Sequence, residues 1–113
     1  MSERVRRRYL ALRVLGEHFV SKRDVVDAVW SAVLQLFGEY GASQASLTFI
    51  EYNSDRSWGI VRCSHRALEM VRASVASVTE INGKPVAIDV LGVSGTLKAL
   101  RKKVLLKRQE TTT

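Results

Sequence analysis

Residues 45–63 read ASLTFIEYNSDRSWGIVRC, and this stretch decides the fold because it predicts two strands joined by a short connection. Residues 45–52 and 58–63 are rich in the β-branched and aromatic side chains that favour strands. Residues 53–56, Asn-Ser-Asp-Arg, are typical of a turn. The segment is therefore predicted to form an antiparallel hairpin near the middle of the chain.

A strand and a helix are predicted before this hairpin. Apolar side chains recur with a period of two over residues 8–15, which is typical of a half-buried strand. Ser21 then precedes apolar residues at helical spacing. We therefore expect Ser21 to be the N-cap of a helix over about 22–37 that stops near Gly38.

A helix, a strand and a further helix are predicted after the hairpin. Ser64 is expected to cap a second helix that ends near Val78, and 82–83 (Asn-Gly) is a strong turn signal. Residues 86–91 alternate as a strand, and a third helix is predicted over about 97–107. The βαββαβ order with an added C-terminal helix predicts an α+β, ferredoxin-like fold with a four-stranded antiparallel sheet.

Composition predicts one domain over residues 1–113, large enough to bury a core without disulfides. The single cysteine, Cys63, cannot form an internal disulfide, which favours a reducing cytoplasm. Cys63, His18 and His65 lack metal-ligand spacing, so we expect no metal bound by the protein. No signal peptide and no run of eighteen apolar residues is present, so neither secretion nor a membrane span is expected.

The charge of the chain is concentrated at its two ends. The net charge is +7, yet residues 1–13 and 98–113 together carry +9, so residues 14–97 carry −2. Basic ends on a near-neutral body are typical of proteins that bind a polyanion, because each cation near a phosphate releases counterions. Solubility is the alternative explanation of such a charge.

Strand parity predicts what each face of the sheet displays. Leu10, Leu12 and Val14 would face the first two helices, and the other face stays open unless the third helix or a partner covers it. The side chains predicted on that second face are Tyr9, Arg13, Trp58, Ile60 and Arg62. A tryptophan between arginines can stack on RNA bases or form a protein interface, and the sequence leaves both open.

The third strand has partial similarity to an RNA-recognition motif. Residues 56–63 match the consensus K/R-G-F/Y-G/A-F-V-x-F/Y at Arg56, Gly59 and Val61, and at Trp58 by aromatic type. The consensus is broken at three positions, Ser57, Ile60 and Cys63. These departures remove stacking aromatics and favour an ordinary hairpin strand.

Residues 92–96, Gly-Val-Ser-Gly-Thr, are a second candidate site. Backbone N–H groups there, with the hydroxyls of Ser94 and Thr96 and the ammonium of Lys98, are suited to a phosphate. The alternative is a turn with a capping threonine. The Gly-Lys-Ser/Thr of nucleotide-binding loops is absent, and no acid and histidine follow Ser94 as a hydrolase requires, so no protein active site is predicted.

The third predicted helix is amphipathic. Leu97, Leu100 and Val104 form a narrow apolar stripe, and basic residues surround it: Lys98, Arg101, Lys102, Lys103, Lys107 and Arg108. Such a helix either lies along an RNA backbone or presents a solvated face. The RNA-binding residues predicted from the whole chain are Arg6, Arg7, Arg8, Arg13, Arg62, Ser94, Thr96, Lys98, Arg101, Lys102 and Lys103.

Several short strings carry a resemblance to a known family. They are residues 58–63 (WGIVRC), 79–83 (TEING) and 91–98 (LGVSGTLK), together with Trp30 and residues 37–39 (FGE). In this order and spacing they resemble the archaeal ribonuclease P protein component 2 family, over roughly nine tenths of the chain. Residues 40–56 carry little of the resemblance.

The resemblance implies a subunit of the cytoplasmic ribonucleoprotein that removes the 5′ leader from precursor tRNA. In that enzyme the RNA is the catalyst and RNA-bound magnesium ions activate water, so the protein needs no cofactor of its own. It also implies pairing with ribonuclease P protein component 3 in a two-plus-two heterotetramer. Two alternatives stay open from the fold order alone: a small-molecule-binding regulatory domain, and a structural adaptor in which a partner buries Trp58 and Ile60.

Overall fold

The structure, a computed structural model, describes the backbone of residues 6–111 and the side chains of residues 6–104. Lys107 and Arg108, which the sequence places beside the apolar stripe of the third helix, lie outside the described side chains. In chain order the elements are β1 (Arg7–Leu15), α1 (Lys22–Ala45), β2 (Thr48–Asn53), β3 (Trp58–Ser64), a 3-10 turn (His65–Ala67), α2 (Leu68–Ser77), β4 (Glu80–Ile81), β5 (Lys84–Pro85), β6 (Ala87–Ser94) and α3 (Leu97–Thr111).

The predicted α+β fold is confirmed. Strands β2, β3, β1 and β6 lie in that order in one antiparallel sheet, with β1 between β3 and β6. The predicted hairpin is the β2–β3 pair. Strands β4 and β5 form a separate two-stranded ribbon around Asn82 and Gly83, which both have the positive φ that a tight hairpin turn needs.

The first helix begins and breaks where the sequence predicts. The Asp24 backbone N–H donates to Ser21 Oγ at 3.2 Å, which confirms Ser21 as the N-cap. At Gly38 the backbone leaves helical geometry (φ 73°, ψ −178°), so the first helical segment stops there as predicted. A second helical segment, which the sequence did not indicate, follows across this kink, reaches Ala45 and buries Gly41 and Ala42.

The second helix begins differently from the prediction. Ser64 makes no side-chain cap, since its Oγ donates to the carbonyl oxygen of Gln44 at 3.0 Å. The chain enters α2 through the 3-10 turn instead. Ser64 therefore ties the end of β3 to the end of α1, and the prediction that it caps the helix is wrong.

The first core lies between one sheet face and helices α1 and α2. Leu10, Leu12, Val14, Val61 and Cys63 are buried there, on the face that strand parity assigns to them. Burial raises the pKa of the Cys63 thiol to about 11, against a smaller opposing effect of the positive charge of Arg8. The thiol is therefore protonated at neutral pH and acts as a small apolar core group.

Helix α3 covers the other sheet face. Its apolar stripe places Leu100 and Val104 against Ala11 and Ile60, and these four side chains form a second buried cluster. Ile60 lies on the second face as strand parity predicts, and it is fully buried because the third helix is the cover that the sequence left open. The reason is that α3 folds back over the sheet and buries its own stripe there.

No helix in the described part of the chain combines the length and apolarity needed to cross a bilayer.

Two β-bulges fit the sheet to α3. The β1–β6 register passes over Leu91, and the β2–β3 register passes over Ile50. Because each bulge turns two consecutive residues to one face, Ile50 and Leu91 both pack on the second cluster. Glu51 next to Ile50 also turns towards α3, where it pairs with Arg101.

Candidate nucleic-acid interface

Two groups of predicted residues that are far apart in sequence meet at one end of the sheet. Tyr9 on β1 is paired with Ser94 at the end of β6. The Arg8 guanidinium lies alongside Gly95, so that a Cβ added there would be 3.3 Å from Arg8 Nη1. Arg8 therefore adjoins the β6–α3 connection, although almost ninety residues separate it from Gly95 in sequence.

Strand β3 adds further cations to this end of the sheet. Arg62 lies opposite Tyr9, and Arg7 lies opposite Ser64, which makes Arg7 and Arg62 diagonal neighbours. The His65 backbone N–H donates to the carbonyl oxygen of Arg6 at 2.7 Å, which holds the 3-10 turn beside β1. We call this surface the basic end and define it by Arg6, Arg7, Arg8, Arg62 and Arg66.

Sequence reasoning missed Arg66. This exposed residue lies in the 3-10 turn that directly follows β3. An antiparallel pair places the end of one strand beside the start of the other, so any cation just after β3 adjoins the start of β1. The signal was the short spacing from Arg62 to Arg66 across the end of a predicted strand.

The arginines of the basic end differ from two other predicted RNA-binding arginines. Arg13 Nη2 lies 3.3 Å from Asp89 Oδ2, and Arg101 pairs with Glu51. Within residues 6–104, no ion pair joins an arginine of the basic end to a carboxylate. The positive charge of the basic end is therefore offset only by solvent and ions, whereas Arg13 and Arg101 are already partly neutralised.

The predicted phosphate loop is shorter than the sequence indicated. Because β6 continues to Ser94, only Gly95 and Thr96 connect it to α3. Thr96 Oγ1 accepts from the Ala99 backbone N–H at 3.2 Å, which confirms the capping threonine. Ser94 Oγ accepts from the Thr96 N–H at 3.4 Å. These two hydroxyls therefore serve first to turn the chain into the helix.

The basic residues of α3 point in several directions. Lys98 and Lys102 are exposed. Lys103 Nζ donates to the carbonyl oxygen of Val93 at 2.7 Å, which helps to hold α3 on the sheet. Tyr9, Trp58 and Ile60, predicted as a platform for RNA or a partner, face α3, where Ile60 is fully buried and Tyr9 and Trp58 are half-buried, so within this chain Ile60 is not free to contact either.

Within the described residues, no group of three or more His, Cys, Asp or Glu side chains is placed to hold a metal ion. The described residues form an α+β sandwich with helices on both sheet faces and one strongly basic end.

The chain belongs to the Rpp14/Pop5 family, whose model matches residues 8–105. It is similar to ribonuclease P protein component 2 of Pyrococcus furiosus, with 37% identity over 102 residues that cover 90% of this chain and 85% of that protein. The same component of Methanosarcina mazei is 38% identical over 104 residues, covering 92% and 88%. The family resemblance found in the sequence is confirmed.

A solved structure has the same fold. A chain in the cryo-EM structure of yeast ribonuclease MRP superimposes with a TM-score of 0.70, covering 98% of this chain and 97% of that one at 13% identity. At this identity the likeness concerns the fold alone. It extends over nearly the whole chain, α3 included.

Proposed function

We propose that this chain is a non-catalytic subunit of cytoplasmic ribonuclease P that binds the catalytic RNA through its basic end. The observation that carries the proposal is the gathering of Arg7, Arg62 and Arg66, from two strands and a turn, with no carboxylate paired to them in residues 6–104. Such a surface binds phosphates by releasing their counterions. It positions the protein on RNA without reading its sequence.

In the proposed mechanism the RNA hydrolyses precursor tRNA to remove the 5′ leader, and its own magnesium ions activate the water. The protein's arginines lie among phosphates of the catalytic domain and reduce their repulsion. The RNA therefore folds at a lower magnesium concentration. A second protein, ribonuclease P protein component 3, completes the support in a two-plus-two assembly.

The predicted RNA-binding residues do not contribute equally in this proposal. The main contacts are the basic end and, on α3, Lys98 and Lys102, two exposed lysines that form no ion pair with the described residues. Arg13 and Arg101 contribute less because carboxylates already offset them. Lys103 contributes less because its ammonium is held by a backbone carbonyl.

The test is reconstituted cleavage of precursor tRNA by the RNA and component 3 across a magnesium titration. Omission of this chain is expected to raise the magnesium needed for half-maximal cleavage several-fold. The triple variant Arg7→Gln, Arg62→Gln, Arg66→Gln is expected to act almost like omission.

A matched control removes the same charge from other exposed sites, through Arg23→Gln, Arg56→Gln and Arg72→Gln. We expect this control to stay close to the wild type. Equal magnesium requirements for the two triple variants would contradict the basic end as the RNA surface. If omission of the chain changes nothing, the proposed function is wrong. A small-molecule-binding domain would also bind its ligand with little dependence on salt, unlike RNA.

A further inference from the structure

A cavity of about 400 Å³ opens beside the basic end, between the last turns of α1 and the strands β1 to β3. Two arginines of the basic end, Arg7 and Arg62, line it together with Trp30. The hydroxyl-bearing residues Ser43, Ser46 and Thr48 also line the cavity. None of its lining residues is acidic.

We propose that this cavity holds one unstacked nucleotide of a single-stranded RNA segment, with its phosphate on Arg7 and Arg62 and its base against Trp30. The inference rests on the proposed RNA-binding function and deepens it. The protein would then make two kinds of contact with RNA. The basic end binds the phosphates of any RNA segment. The cavity accepts only a nucleotide whose base is unstacked and free of a helix.

The size and lining of the cavity suit a nucleotide. Its volume is within the range of small-ligand sites, which is about 300–1,000 Å³. Guanidinium groups bind phosphate oxygens in pairs of parallel hydrogen bonds, and neither Arg7 nor Arg62 has a side-chain partner in the described part of the chain. An incoming phosphate therefore displaces no ion pair.

Trp30 lies at the wall of the cavity and is fixed by packing. It is half-buried, and it packs against the first core from the side of α1. A ring fixed in this way offers a base a rigid surface, and aromatic stacking accepts any of the four bases. Trp58, the other tryptophan, is packed under α3 and does not line the cavity.

The hydroxyls supply polar contacts for the ribose and the base edge. Ser43 and Thr48 are exposed, and their hydroxyls make no hydrogen bond to the described residues. Ser46 ends α1 in the left-handed region (φ 49°), where glycine is the usual residue. A serine here places a hydroxyl at the cavity in spite of the less favourable backbone.

The experiment follows the two indole N–H signals of the full-length chain by NMR during titration with pentauridylate or pentaadenylate. We expect the Trp30 signal to shift with saturation and the Trp58 signal to stay. Arg62→Gln should weaken binding about 5- to 10-fold, and Ser43→Leu, at an exposed position that narrows the opening, at least 10-fold. The control Arg56→Gln removes the same charge outside the cavity and should change the affinity less than 2-fold.

Several outcomes would overturn the inference. One is an unchanged Trp30 signal at saturating RNA, and another is equal binding by Ser43→Leu and the wild type. A third is an affinity for free uridine monophosphate or adenosine monophosphate equal to that for the pentanucleotides. That result would identify a free nucleotide, and not an RNA strand, as the ligand of the cavity. The magnesium titration separates this inference from the proposed function. If the wild type lowers the magnesium requirement but Trp30 does not respond, only the cavity assignment fails.

Discussion

Within the described residues, the arginines at one end of the α3-covered sheet face are paired with carboxylates, and those at the other end are not. Near the β2–β3 turn, Arg13 pairs with Asp89 and Arg101 pairs with Glu51. At the basic end, Arg7 and Arg62 have no carboxylate partner in the described part of the chain. The number of cations on a surface is therefore a poor guide to its affinity for a polyanion, because cations that are paired with carboxylates are already partly neutralised.

The largest expected effect on RNA binding comes from one of two double variants that remove the same charge from opposite ends. Arg7→Gln with Arg62→Gln should weaken binding of ribonuclease P RNA roughly 10- to 100-fold. It should also reduce the slope of log affinity against log salt by about 2, one for each lost phosphate contact. Arg13→Gln with Arg101→Gln should reduce that slope by less than about 0.5, since those guanidinium groups are paired. Filter binding between 50 and 400 mM salt measures both slopes, and identical slopes would remove the distinction.

The second effect tests whether α3 permanently closes the face between the two ends. Leu100 is fully buried against the sheet, so Leu100→Ala should lower the free energy of unfolding by about 2–4 kcal/mol. Urea unfolding measures the loss. Lys102→Ala on the exposed side of α3 is the control and should stay within about 0.5 kcal/mol of the wild type. A loss below about 1 kcal/mol for Leu100→Ala would indicate a loosely held helix and reopen the face as a stacking surface.

The smallest effect uses Cys63, which lies opposite Arg8 under the basic end, as a probe. Burial raises its thiol pKa from 9.0 to about 11 in the folded chain, so the folded state keeps the proton longer than the unfolded state. The stability from this proton is fully present below pH 9. It is lost as the pH rises from 9 to 11, by about 2–3 kcal/mol in total. The free energy of unfolding is measured from pH 8 to pH 11.5 for the wild type and for Cys63→Ala. The difference between the two isolates the titration of the Cys63 thiol from that of lysines and tyrosines.

The same probe reports on Arg8. Because the positive charge of Arg8 lowers the thiol pKa, Arg8→Gln should raise it further. A pKa that does not move in Arg8→Gln would mean that the charge at the basic end is already screened. That result would weaken the contrast between the two ends of the sheet.

Local pattern was enough for much of the fold. The strand-forming runs around residues 53–56 predicted the hairpin, and Asn82 with Gly83 predicted a tight turn, because these signals act between near neighbours. The Ser21 N-cap and the capping Thr96 were predicted for the same reason. The family was also predicted from short sequence strings and their order along the chain.

The candidate site was only partly predictable. The cluster of N-terminal arginines and Arg62 was visible in the sequence, but its neighbours were not, since they come from other strands and turns. Arg66 and the cavity lined by Trp30 required the sheet order. The pairing of Arg101 with Glu51 required a bulge that turns Glu51 to the face of α3.

By itself, the sequence of this protein determined its order of strands and helices, its family and the basic character of its ends. Periodicity and turn chemistry are properties of neighbouring residues, and net charge is a sum over residues, so neither depends on the tertiary structure. Only the tertiary structure decided that α3 buries Ile60, that two bulges turn Ile50 and Leu91 onto the same cluster, and which arginines remain unpaired. The physical reason is that a shift of one residue in strand register exchanges the two faces of a sheet, and that ion pairs form between residues that are distant in the chain.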